Sequence, residues 1–214
     1  MNKLRLVTTA ALAALAVMVS CEARAWSISD AFATAGSEIV PLLDRNARLD
    51  MIDYFNSGMD RPSDNALMGK SRITEMDGRS MRIRLTDASF YQLAALPAGA
   101  DTLVAVIATV LTPAPDSRLN IYTRSWEKDL TQRLFNSPVM ADWLTADGRR
   151  NRDEVEKLVP FLLVGYEYDP DTSTLTLINN TQQALAEEVY EKVRPCLKEK
   201  LTYRWNGKKF VALK

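Results

Sequence analysis

Carboxylates are what this sequence offers for catalysis. Asp50 and Asp53 stand three residues apart, a spacing that puts both on one face of a helix, and Asp169 and Asp171 share a short polar turn. Two acids flanking a sugar bond suffice for glycoside hydrolysis, one as proton donor and the other as base or nucleophile. Each pair has a simpler use as well, because acids near a helix start complement its dipole and acids in turns cap backbone N–H groups. Asp169, Asp171 and Ser173 could also touch calcium through oxygen, although the twelve-residue EF-hand pattern is missing. Most other chemistries are removed by composition. The chain has no histidine, so a Ser-His-Asp or Cys-His nucleophile and an imidazole zinc site cannot be built. It has two cysteines, Cys21 and Cys196, too few for a cysteine cage. Neither G-x-x-x-x-G-K-[ST] nor G-x-G-x-x-G occurs, which leaves nucleotide binding without a motif. The sequence therefore assigns no catalytic, cofactor-binding or metal residue and calls for no cofactor.

Other residues carry a functional reading beside a structural one. Trp126, Trp143, Tyr166, Tyr168, Tyr203 and Trp205 could form a stacking platform for sugars or peptides, but Tyr and Trp are also ordinary strand and core residues. Arg82 and Arg84 invite a phosphate, yet their alternation with Met81, Ile83 and Leu85 describes a strand with one buried and one solvated face. Cys196 lies near the end of an apolar-striped segment, where a lone thiol reads as a small core residue.

The elements that must position these residues begin after a leader. Met1-Asn2-Lys3-Leu4-Arg5 is followed by an apolar run over residues 6–19 and by Ala23-Arg24-Ala25. A basic start, an apolar core too short for a comfortable span of about 20 residues, and an A-x-A site make a secretory signal over residues 1–25. Met18-Val19-Ser20-Cys21 resembles a lipobox, so the alternative is lipoprotein cleavage before Cys21 and an acyl anchor. Cleavage after Ala25 leaves residues 26–214 as a single domain. It removes three basic residues and one acidic residue from a chain with 27 of each, leaving a net charge of −2. Such a balance gives no electrostatic footprint for nucleic acid.

Residues 28–35 are weakly helical, and a firmer helix is expected over residues 46–58, with Leu49, Ile52 and Phe55 at helical spacing. The period then becomes that of strands. Asp77-Gly78 is a hairpin turn, residues 90–96 form a strand stopped by Pro97, and the Val- and Ile-rich run over residues 103–111 is a strand covered on both faces. Leu119 and Ile121 alternate into a further strand. Residues 125–159 lose the pattern and form either short helices over a sheet edge or a long irregular excursion, the first place to look for a groove or an apolar patch. Strands over residues 161–168 and 174–178 flank an Asp-Pro-Asp-Thr-Ser turn. Asn180 with Gln183 imitates a capping box for a second helix, ended by Pro195. Residues 201–205 and 210–213 close the chain around Asn206-Gly207. This is an α+β pattern, a mostly antiparallel sheet of consecutive hairpins with two main helices packed on it.

Leu49-Asp50-Met51-Ile52-Asp53-Tyr54, Gly69-Lys70-Ser71, Leu96-Pro97, Ile107-Ala108-Thr109-Val110, Pro115-Asp116-Ser117-Arg118 and Tyr203-Arg204-Trp205 carry a family likeness. On these residues the chain resembles a Bacteroidales family of secreted proteins that is a domain of unknown function. The resemblance implies export to the periplasm or cell envelope and no assigned reaction. The reading that follows is an exported, non-catalytic binding or assembly module whose edge strands could accept a strand from an envelope protein, or whose surface could take a glycan. Its rivals are a hydrolase of carbohydrates working through carboxylates alone and a structural subunit of an envelope complex.

Overall fold

A computed structural model describes residues 26–213. The leader over residues 1–25, with the alternative cleavage before Cys21, lies outside the described residues. Two helices open the fold, α1 (Ile28–Thr34) and α2 (Arg45–Asn56). Asp44 caps α2 by accepting the Ala47 N–H, and the helix turns Met51 and Ile52 inward. Six strands follow in hairpin succession: β1 (Ser63–Asp64), β2 (Lys70–Met76), β3 (Ser80–Thr86), β4 (Ser89–Ala98), β5 (Asp101–Val110) and β6 (Asp116–Thr123). They form one antiparallel sheet in sequence order. The stretch after β6 holds four short helices, α3 (Thr131–Leu134), α4 (Met140–Trp143), α5 (Ala146–Arg150) and α6 (Arg152–Leu158). A second antiparallel sheet then forms from β7 (Val164–Asp169), β8 (Thr174–Asn179), β9 (Lys200–Trp205) and β10 (Phe210–Ala212), with α7 (Glu187–Val193) between β8 and β9.

Period-2 alternation decides which layer each face meets. Met81, Ile83, Leu85, Leu93, Val104 and Val106 face α1 and α2, whose Ile28, Phe32, Met51 and Ile52 complete one core. Ala94, Leu96, Ala105, Ile107, Leu119 and Ile121 face the opposite way, onto Val164, Tyr168, Leu175, Leu177 and Trp205 of the second sheet. The first sheet is therefore the middle layer, buried on both sides where β4 and β5 run. That accounts for the nearly unbroken apolar composition of β5. The α+β architecture of antiparallel hairpins read from the sequence is the architecture of the protein.

Two local expectations change. Pro97 lies inside β4 rather than stopping it, pairing across from Thr102. The Ala95 N–H bonds the Arg79 carbonyl just before β3 begins, so by alternation the Pro97 nitrogen faces the space beyond that strand and removes no ladder bond. The helix expected after Asn180 begins later. Thr181–Ala184 is a 3-10 turn, and α7 spans seven residues before a second 3-10 turn through Pro195. The Asn179 side chain accepts the Thr181 N–H, so the polar residues read as a capping box make a turn at the strand end.

The excursion over residues 125–159 has a small core of its own. Leu144, Val155, Val159, Val193, Cys196 and Leu197 pack together, which makes Cys196 a core residue. Thr145 and Lys198 donate N–H groups to the carbonyls of Cys196 and Trp143, tying α4 and α5 to the chain before β9. Gly148 is required there, because a Cβ would stand 2.1 Å from the Cys196 carbonyl oxygen.

Candidate functional site

The carboxylates do not gather. Asp50 and Asp53 are exposed on α2. Asp169 accepts the Asp171 N–H and the Thr172 hydroxyl, and the Thr172 hydroxyl is the main reason its carboxyl sits below the usual range. Asp171 is ion-paired with Arg79. These acids close a turn and join two sheets, so of the residues considered for calcium, Asp169 and Asp171 already have partners. Among the described residues no cluster of three or more Cys, Asp or Glu side chains is arranged to hold a metal. The aromatic residues do assemble, but inside the fold. Trp143, Tyr168, Tyr203 and Trp205 are buried in the core between the sheets with Tyr166 against it, and the Trp205 indole N–H bonds the Pro97 carbonyl at 2.7 Å. Trp126 lies apart, packed on Tyr122 at 5.5 Å.

Arg82, expected on a solvated face, is a clamp. Its guanidinium bonds Glu167 of β7 at 2.9 Å and lies 5.1 Å over the Phe90 ring. Arg84 stays exposed beside Arg72 in an open cavity of about 660 Å³ at the outer side of β2, where Phe55, Met59 and Asp60 form the other wall. Asp60 already holds Arg72 at 2.8 Å. A bulge between Ile73 and Glu75 makes the β2 edge irregular, a feature that discourages strand pairing.

The second concavity runs beside β6, and strand edges define it. Sequence reasoning missed how the two sheets meet. β7 crosses the face of the first sheet with its own outer edge turned down onto it. Its N–H groups at Val164, Tyr166 and Tyr168 donate to Asp116 Oδ1, Ser117 Oγ and Gln92 Oε1 at 3.0, 2.9 and 3.0 Å. Gln92 also donates to the Tyr168 carbonyl at 2.6 Å, so one side chain replaces both backbone partners of a neighbouring strand. A Cβ on Gly165 would stand 2.9 Å from the Asn180 side-chain amide nitrogen, which bonds the Pro115 carbonyl just before β6, so the bare glycine leaves room for that link. The one signal of this joint in the sequence is Gln92 itself, a polar residue at an inward position of an apolar strand.

With β7 spent on the sheet face, the edge of β6 lies open on its far side. The Ile121 N–H goes to Thr131 Oγ1 and its carbonyl accepts from Leu130, while Thr123 is matched by Lys128 and Trp126. Ile121 and Thr123 thus point their backbone groups away from β5. Because the β5–β6 register is unbroken, alternation sends those of Ser117 and Leu119 the same way. Among the described residues nothing bonds the N–H or C=O of either one on that side. Ser117 faces two adjoining cavities of about 290 and 340 Å³ that share it and Tyr166, and Leu119, 4% exposed, lies on the floor of the smaller. Thr131, Gln132 and Ser137 wall the first, and Pro138, Met140, Trp143, Phe161 and Leu162 wall the second. Val139 and Phe161 are 64% and 63% exposed, so the apolar end of the groove opens to solvent. The Tyr166 hydroxyl at its base is pushed up to about 12, first by burial and then by Tyr203 and Asp116. At the other end burial pushes the Asp129 carboxyl up, but hydrogen bonds from Thr131 and Asn120, with the Arg118 charge, together outweigh it and hold the group below its ordinary value. The excursion expected to carry a groove does form one wall of it.

Comparisons with known proteins agree with this fold. A family described as a protein of unknown function (DUF3256) matches residues 20–210. A solved structure of a domain of an uncharacterized protein from Porphyromonas gingivalis W83 superposes with a TM-score of 0.76 at 21% identity, over 87% of this chain and 97% of that one. At that identity the likeness concerns the fold. No curated protein matches the chain.

Proposed function

The chain belongs to the DUF3256 family of proteins of unknown function, and from that premise we propose that it is an exported binding or assembly module of the cell envelope that works through the groove beside β6. The observation that carries this reading is the half-open edge of β6, where backbone donors and acceptors stand at the base of a walled groove with an exposed apolar end. On this reading the groove is a binding surface. Its walls are amide, hydroxyl and apolar side chains with Arg118 at one end, and its carboxylates at Asp116 and Asp129 are taken up by the Val164 N–H and by Thr131 and Asn120. Export is supported by the leader pattern of residues 1–25, and no described helix is long and apolar enough to cross a membrane.

Two measurements test the proposal. Intact mass of the protein from native cells should begin at Trp26, or at an acylated Cys21; a full-length intracellular product overturns export. A photo-crosslinking residue at Gln132 should capture a discrete envelope component that the same residue at Arg204, on the outer face of the second sheet, does not. Equal capture from both positions, or none from Gln132, overturns the assignment of the groove.

A further inference from the structure

The groove also says what kind of molecule it takes. This step rests on the β6 groove being the binding surface. Ser117 and Leu119 each hold one N–H and one C=O without a backbone partner in the plane of the sheet, about 7 Å apart at two residues' rise, Ser117 half-buried and Leu119, 4% exposed, on the floor of the smaller cavity. Only a polypeptide in extended conformation presents donors and acceptors in that alternating order and spacing. The neighbouring residues show how such a partner would sit. Residues 128–131 of the chain itself bond the edge at Ile121 and Thr123, so the second half of β6 already carries a strap beside it. The charges at the two ends differ. Arg118 lines the smaller cavity and Arg133 the neighbouring hollow on the other side of Asp129; both are exposed, and neither makes an ion pair among the described residues. Asp129 is occupied by hydrogen bonds from Thr131 and Asn120. The end near Pro138, Met140 and Phe161 is apolar.

We infer that the partner is a protein segment that adds to β6 as an extended strand. It pairs its backbone with Ser117 and Leu119, sets an apolar side chain among Pro138, Met140 and Phe161, and places an acidic side chain by Arg118 and Arg133. Side chains at alternate positions give the selectivity, and the ladder gives much of the affinity.

The test starts with the free protein. Amide exchange followed by NMR should find the N–H groups of Ser117 and Leu119 fast, and those of Arg118, Asn120 and Ile121 slow. If all five are equally protected, the edge is closed and the inference fails. The probe for binding is a random linear dodecapeptide library displayed on phage and panned on the purified protein. Selected peptides should combine acidic and bulky apolar residues, and should slow exchange at Ser117 and Leu119. N-methylation at alternate peptide amides should weaken them by about tenfold or more. Ser137→Trp fills the groove from an exposed position and should abolish their binding while the unfolding temperature is retained. Arg118→Glu with Arg133→Glu should shift selection towards basic peptides. Insensitivity to N-methylation, or unchanged binding to Ser137→Trp, overturns strand addition. So does a panning that yields no peptide although Gln132 still crosslinks a partner, an outcome that leaves the groove a binding surface for a folded protein or a glycan.

Discussion

Of the four strands that end the two sheets, β7 and β6 deal with their unpaired backbone groups in opposite ways. β7 turns its edge down onto another sheet and is closed by three side chains, Asp116, Ser117 and Gln92, so that each outward N–H has a partner at about the distance a neighbouring strand would give. β6 is covered by a backbone strap at Ile121 and Thr123 and left open at Ser117 and Leu119. An edge closed by side chains is fixed, because buried amides leave a dry position only at the full cost of desolvation. An edge whose backbone groups lack partners gains hydrogen bonds when a peptide pairs with it. The first edge holds the molecule together, and the second is free to recruit.

If that contrast is right, the largest effect belongs to the β7 joint. Gln92→Leu keeps the bulk but strands the N–H and C=O of Tyr168 in the core between the sheets. Its expected cost is about 3 kcal/mol of unfolding free energy, because two buried backbone groups lose their partners at once. Urea denaturation measures it. A loss under about 1 kcal/mol, the size of an ordinary exposed substitution, would mean that the joint is held by apolar packing alone.

The alkaline limb of stability comes next. Tyr166 sits where the two edges meet, and burial raises its hydroxyl to about 12. The protonated phenol is the form the folded state favours. The unfolded chain releases that proton near 10, so the contribution is complete below about pH 10 and is lost as pH rises through 12. Tyr91, Tyr122, Tyr168 and Tyr203 are also raised, first by burial, and add to the same limb. Tyr166→Phe should therefore flatten the fall in stability between pH 10 and 12 without removing it. A limb identical to that of the parent protein would place Tyr166 in water rather than at the joint.

Ser117→Ala separates the two edges at the residue they share. The side chain supports β7 by accepting the Tyr166 N–H and bonding Thr109, while the backbone belongs to the open edge of β6. Losing the hydroxyl should cost about 1–2 kcal/mol, less than Gln92→Leu, because the Tyr166 N–H and the Thr109 hydroxyl lose this partner but no backbone carbonyl is stranded. A cost as large as that of Gln92→Leu would show that Ser117 and Gln92 act as one unit rather than as separate stitches.

Much of this contrast is invisible from sequence, for a definite reason. Strands and hairpins were legible because their signals are local. Asp77 accepts the N–H groups of Arg79 and Ser80, and Asn206 accepts those of Lys208 and Lys209, the turn chemistry that their residue types announce. The burial of Cys196 and the two-sided burial of β5 were legible from apolar pattern. The division into two sheets was not, since Gln92 and Tyr168 are 76 residues apart and their contact leaves no periodicity. Arg82 read as a solvated residue because alternation reports which face a side chain occupies, not what later covers that face. The groove follows the same rule. Whether an edge is open depends on which strand lies beside it, and that is settled by β7 choosing the sheet face instead of the β6 edge.

The smallest expected effect tests whether the charges around the joint matter at all. Arg79 pairs with Asp171, linking the turn before β3 to the β7–β8 turn across the outer rim of the sandwich. Both side chains are largely exposed, at 56% and 76%. Water and salt screen such a pair, so Arg79→Ala should leave the urea midpoint nearly unchanged, with a smaller shift at about 0.5 M salt than at about 0.05 M. The comparison sharpens if Arg82→Ala costs more, because its guanidinium is only 29% exposed, bonds Glu167 and covers the Phe90 ring. Equal small losses would confine the work of joining the sheets to Gln92, Ser117 and Asp116. A large, salt-insensitive loss for Arg79→Ala would instead show that the rim is drier than its exposure implies, and that the β7 edge is held from its end as well as from below.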